Sequence, residues 1–175
     1  RKIMAEVAGQ KRITWSFQVV RGGVTDQLLE AATSARMLSL GRVGRSRGKR
    51  TGTTAQAIAR RAQRPVVFQS RQRTLHGPYT VLYTGSPAAY RAVNLGMELS
   101  TQEESTLRVL APTSELAEGA QSFLVENYPT PNAVCERAAA LRDLLAAIDK
   151  SGVVILPVEA AGWLDDIPLT VIVVP

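Results

Sequence analysis

The chain has 175 residues, 45% hydrophobic and 21% charged, which is enough apolar material for one domain or two small ones and is not the composition of a disordered chain. No run of about eighteen apolar residues occurs, so no segment reads as a membrane-spanning helix; a single cysteine, Cys135, and a single histidine, His76, argue against a disulfide framework, a multi-thiolate metal site and a histidine-based triad. The net charge of +6 hides a division, because residues 1–75 carry sixteen Lys and Arg against three acids while residues 76–175 carry five against twelve. Such a split suits two units packed charge against charge, or a basic lobe facing a phosphate-bearing ligand, a nucleic acid or an anionic membrane surface. The start at Arg1, with neither an initiator Met nor a signal pattern, leads us to expect a fragment of a longer chain.

Residues 1–10 read as the tail of a helix with Gly9 near its end. Ile13–Val20 (ITWSFQVV), rich in β-branched and aromatic residues, predicts a strand. Gly22 and Gly23 turn the chain into a helix over Val24–Thr33, with Leu28, Leu29 and Ala32 on one side. The apolar run Met37–Leu40 precedes a loop, GRVGRSRGKRTGTT, over Gly41–Thr54. Thr53 or Thr54 is expected to cap a helix over Ala55–Ala62, and Pro65–Phe68 to form the next strand. The stretch Arg71–Pro78 ends in a Gly-Pro breaker where the charge changes sign, and marks the boundary between residues 1–74 and 75–175.

Beyond it, Tyr79–Tyr83 predicts a strand, and Pro87 suits the first turn of a helix reaching about Leu99. Leu107–Leu110 is a strand, and Ser114–Asn127 a helix with acids at Glu115 and Glu118 near its positive end. Ala133–Lys150 predicts an amphipathic helix through Leu141, Leu144, Leu145 and Ile148. Val153–Val158 and Leu169–Val174 are continuous apolar strands of the kind that lie between two covered sheet faces. The alternation of strand and helix gives an α/β fold with a parallel sheet covered on both faces.

The Gly41–Thr54 loop joins a predicted strand to a predicted helix, where parallel α/β sheets bind ligands. Glycines let backbone N–H groups approach an anion, and the helix start adds partial positive charge. Arg42, Arg45, Arg47, Lys49 and Arg50 supply further cations. A P-loop is excluded: the spacing from Gly44 to Gly48-Lys49 is one residue short, and Arg50 stands where a Mg²⁺-binding Ser or Thr belongs.

In this loop the sequence resembles the universal stress protein family. Nucleotide-binding members show a strand, Gly-x-x-Gly, about nine residues, then Gly-Ser or Gly-Thr opening a helix, then a Pro-Val strand. Here stand Gly41-Arg42-Val43-Gly44, then Gly52-Thr53, then Pro65-Val66, with seven residues between Gly44 and Gly52. ITWSFQVVRGG and VTDQLLEAATS resemble the family's third strand, its turn and the following helix. Residues 1–74 thus look like a partial first repeat lacking its first two strands. Residues 75–175 look like a second, degenerate repeat, in which VLYTGSPAAYRAV carries Thr84 where Asp is usual, and AAGWLDDIP replaces the last glycine loop and its helix.

The resemblance implies a tandem, doubly wound, Rossmann-like sheet of the adenine-nucleotide α-hydrolase type. It also implies ATP or AMP as ligand, held by Gly41, Gly44, Gly52, Thr53 and Thr54, and a cytoplasmic role in stress response. Homodimerisation or pairing of the two repeats is the expected assembly.

No metal is expected. His76 reads as a surface histidine, Cys135 as a small buried hydrophobe on a helix, Asp165-Asp166 as a turn cap, Trp15 and Trp163 as packing residues, and Glu103-Glu104 as solvated surface. Nothing assembles a nucleophile with a base, so no enzyme is expected. The alternative is a cytoplasmic regulatory or structural domain of a membrane transporter, without ligand binding. Nucleic-acid binding ranks last because no aromatic-interleaved platform accompanies the basic residues.

Overall fold

The computed structural model describes residues 2–42, 51–70, 75–138, 141–148 and 151–175. The apolar runs among them enter one seven-stranded sheet, made of β1 (Leu38–Gly41), β2 (Val66–Gln69), β3 (Tyr79–Leu82), β4 (Leu107–Ala111), β5 (Ala133–Arg137), β6 (Val153–Pro157) and β7 (Thr170–Val174). The order across the sheet is β1-β2-β7-β6-β3-β4-β5. Strands β3 to β7 are all parallel, giving residues 79–175 the five-stranded parallel sheet that their alternating pattern predicts. β1 and β2 are parallel to each other, and β2 meets β7 antiparallel, with Val67 opposite Ile172. The fold is α/β, with a mostly parallel sheet.

The helices are α1 (Lys2–Lys11), α2 (Val24–Thr33), α3 (Thr53–Arg61), α4 (Pro87–Gln102), α5 (Ser114–Asn127) and α6 (Leu141–Ala147). A 3₁₀ helix over Val158–Asp165 joins β6 to β7. Successive strand residues point to opposite faces, so each run of apolar residues feeds two cores. Phe68, Leu82, Leu110, Val154, Leu156, Val171 and Val173 pack with Ile58 of α3 and Leu164 of the 3₁₀ helix. Val67, Val81, Val109, Val153, Ile155 and Ile172 pack with Ala92, Val93, Ala120 and Leu124 of α4 and α5. Gly152, just before β6, has φ +121°, and a Cβ there would sit 2.3 Å from the Pro78 carbonyl oxygen. Its backbone lies too close to the start of β3 for any other residue.

Two expected elements differ. Ile13–Val20 forms no strand: the segment is irregular, with Ile13, Phe17, Val19 and Val20 exposed. Its period-2 pattern is suited to a sheet, but among the described residues no strand lies beside it, and an unpaired strand leaves its backbone groups to water. Ala133–Lys150 is not one helix. Ala133–Arg137 pairs in full register with Leu107–Ala111, because the outer edge of β4 offers ladder hydrogen bonds and Val134 suits a strand. Helix α6 starts only at Leu141. Cys135 therefore lies on an edge strand, half-buried, and not on a helix. Residues 71–74 of the expected boundary lie outside the described residues.

Candidate functional site

The entrance of α3 is built by β1, which brings the chain to Gly41 and Arg42, and by Thr51, where it is next described. Gly52 is the N-cap in extended conformation, and its carbonyl accepts the first helical bond from Gln56 at 3.0 Å. The helix starts two residues earlier than the sequence suggests, so Thr53 and Thr54 lie inside the first turn and do not cap it. No side chain caps this end, whereas the hydroxyls of Ser86 and Thr113 cap α4 and α5. The first N–H groups of a helix have no intrahelical acceptor, so the entrance presents donors beside the exposed Thr53 and half-buried Thr54. Gly41 closes β1 opposite Gln69, and the Gly52 amide donates to the Arg42 carbonyl at 3.4 Å. These four of the five expected residues are thus grouped by one strand end and one helix start. Gly44, with Arg45, Arg47, Gly48, Lys49 and Arg50, lies outside the described residues.

Arg42 has a different role from the exposed ligand cation expected of it. It is 8% exposed, and its guanidinium donates to the carbonyls of Leu164 and Ile167, and to that of Leu169 at 3.3 Å. Burial lowers its pKa, and the charges of Asp165 and Asp166 act in the opposite sense. A planar fork of donors matches several carbonyls at once, which is why the chain spends an arginine here. Arg42 clamps the exit of β1 to the turn between the 3₁₀ helix and β7.

The 3₁₀ helix brings a carboxylate to the same place. Asp165 Oδ1 accepts the Thr51 amide at 2.7 Å, and Oδ2 lies 3.5 Å from Gln56 Nε2. A small cavity of about 40 Å³ lies between α3 and the 3₁₀ helix, lined among others by Thr51, Gln56, Arg60, Gly162 and Asp165. Thr51 is 5% exposed, and its hydroxyl has no hydrogen-bond partner. The expectation that Asp165-Asp166 caps a turn holds for Asp166, the C-cap of the 3₁₀ helix; Asp165 reaches across to the chain entering α3.

The other end of the 3₁₀ helix meets the entrance of α4. β3 and β6 are adjacent and parallel, and the chain leaves them in opposite directions, toward β4 and toward β7. The crevice outside such a switch point is where doubly wound sheets hold ligands. Here Glu159 Oε1 fills it, accepting from the Thr84 hydroxyl at 2.6 Å and from the Ser86 hydroxyl. Burial raises the Glu159 pKa, but the hydrogen bonds from Ser86 and Thr84 outweigh it, and the carboxyl titrates below its usual range. Ser86 Oγ also accepts the Ala89 amide at 3.0 Å, so one hydroxyl joins cap and carboxylate.

The remaining candidates stay apart from both entrances. His76 is exposed, but Glu103, 27 positions away, lies 3.0 Å from its Nδ1 and also accepts the Gly77 amide at 2.8 Å. The Gly77 amide is the main cause holding the Glu103 carboxyl below its usual range. Glu103 therefore ties the approach to β3 to the end of α4, a contact that its place in a solvated pair did not signal. Burial pushes the Cys135 thiol up. Among the described residues no three His, Cys, Asp or Glu side chains come together as a metal site, and no helix is long and apolar enough to cross a membrane.

No protein-family model matches the sequence, and no curated protein matches it. Solved structures do. A universal stress protein from Archaeoglobus fulgidus superposes with a TM-score of 0.72 at 15% identity, over 99% of this chain and 76% of that one. A protein of unknown function from Pseudomonas aeruginosa PAO1 gives 0.73 at 12% identity, over 99% and 76%. A third, from P. aeruginosa UCBPP-PA14 and provisionally designated a universal stress protein, gives 0.70 at 14% identity, over 99% and 77%. The chain has the universal stress protein fold.

Proposed function

We propose that this chain is a regulatory module that takes up a phosphate-bearing ligand, such as ATP or AMP, at the entrance of α3 and carries out no chemistry of its own. The observation that carries the reading is the uncapped start of α3, placed by a parallel strand and followed by two hydroxyl residues, Thr53 and Thr54. A helix start with free N–H groups and a glycine at its mouth favours an anion. The excess of cations in residues 1–75 adds attraction over a longer range. The second entrance is assigned no ligand, because Glu159 already takes the hydroxyls of Thr84 and Ser86.

Titration calorimetry with ATP, AMP and pyrophosphate tests the reading. Weak binding that declines with added salt is expected, since exposed cations are screened within about 8 Å at physiological ionic strength. Gly52→Val, which puts a β-branched side chain at the mouth, should abolish it. Equal heats from both proteins, or none from either with any of the three ligands, would sink the proposal.

A further inference from the structure

The approach to α3 already has an anion beside it. Asp165 Oδ1 bonds the Thr51 amide at the approach to the helix, the buried Thr51 hydroxyl is left without a partner, and a cavity of about 40 Å³ separates the two elements. Glu159 stands at the entrance of α4, where it accepts from the hydroxyls of Thr84 and Ser86. The two acids are six positions apart on one 3₁₀ helix, in which residues three apart eclipse, so both lie on one side of it, roughly 12 Å apart along its axis.

We propose that Asp165 is the resident occupant of the α3 entrance and that a phosphate-bearing ligand binds there only by displacing it. This rests on the phosphate reading given above and adds its control. A carboxylate held by its own fold loses no translational freedom on binding, so a free ligand must outcompete a high local concentration of it. Displacement also has to overcome the repulsion between the carboxylate and the incoming anion. The buried Arg42 fixes the turn behind Asp165 through the Leu164 and Ile167 carbonyls, so the occupant is held in place from the backbone side. What releases the entrance is therefore movement or neutralisation of Asp165.

Pyrophosphate is the probe, titrated into wild type, Asp165→Asn and Asp166→Asn. The Asn variant at 165 keeps the size of the side chain, and Asp166 supplies the same change of charge one residue away without the Thr51 contact. Asp165→Asn should bind pyrophosphate at least about tenfold more tightly than wild type, and Asp166→Asn no more than about threefold. Equal gains in the two variants, or no gain in Asp165→Asn while wild-type binding remains sensitive to Gly52→Val, would overturn the role of Asp165 and leave the phosphate site standing. No binding by any of the proteins would overturn both. Should Asp165→Asn fail to fold, NMR on wild type decides: pyrophosphate should shift the Thr51 amide and the Asp165 carboxyl carbon together, and an unmoved pair refutes displacement.

Discussion

Arg42 was expected among the cations of an exposed loop, yet three backbone carbonyls and a buried environment make it a clamp. Removing it leaves carbonyls without donors. Arg42→Met should therefore destabilise the protein by about 3 kcal/mol in urea denaturation, the cost of several lost charge-assisted hydrogen bonds less the gain from apolar burial. Arg42→Lys should recover only part of that, because an ammonium cannot span the three acceptors. Glu159 makes a second test, through pH. Its pKa is lowered in the folded state relative to the ordinary 4.5, so the stability it confers is complete above about pH 4.5 and disappears as pH falls through the lower folded value. Denaturation midpoints of wild type and Glu159→Gln should differ most near neutrality and converge in acid. A gap that stays constant with pH would mean the carboxylate contributes no charge-dependent stability.

At the level of elements, the sequence was readable wherever a segment meets neighbours on both sides. β6 and β7 are continuous apolar runs buried along their whole length, and the helices expected over Val24–Thr33 and Ser114–Asn127 are seen in the structure as α2 and α5. The misreadings fall at margins. ITWSFQVV carries the alternation of a strand, but no local signal states whether a partner strand is present. Ala133–Arg137 is short and its apolar positions continue into the α6 residues, so a helical period fitted both. The α3 entrance was legible in part, because Gly52, Thr53 and Thr54 are consecutive. Its occupant was not, since Asp165 is 114 positions away and only the topology brings it there. The placing of Cys135 on β5 makes a prediction of its own. With its thiol pKa raised by burial, alkylation by iodoacetamide at pH 7.5 should be slower than that of free cysteine and should accelerate as pH rises. A rate equal to the free thiol would contradict the half-buried placement.

Across the whole molecule, the β2–β7 seam joins the basic and acidic halves through main-chain hydrogen bonds, and both cores run across it. Arg36 adds a surface pair with Glu98 at 2.9 Å, of minor weight beside that burial. The halves should therefore unfold together. Phe68 is fully buried on β2 and packs with β7, so Phe68→Ala should cost about 3–5 kcal/mol and lower the far-UV and tryptophan fluorescence transitions by the same amount. Two separated transitions, with only one moved, would show that the halves fold independently.

The seam has one more consequence. Because β2 runs against β7, strands β1 and β2 finish at the end of the sheet where β3 to β7 begin. The starts of α3 and α4 consequently open at opposite rims of the molecule. The 3₁₀ helix reaches both starts, with Asp165 at one and Glu159 at the other. It stands as a crossbar of 8 residues between the two helix starts.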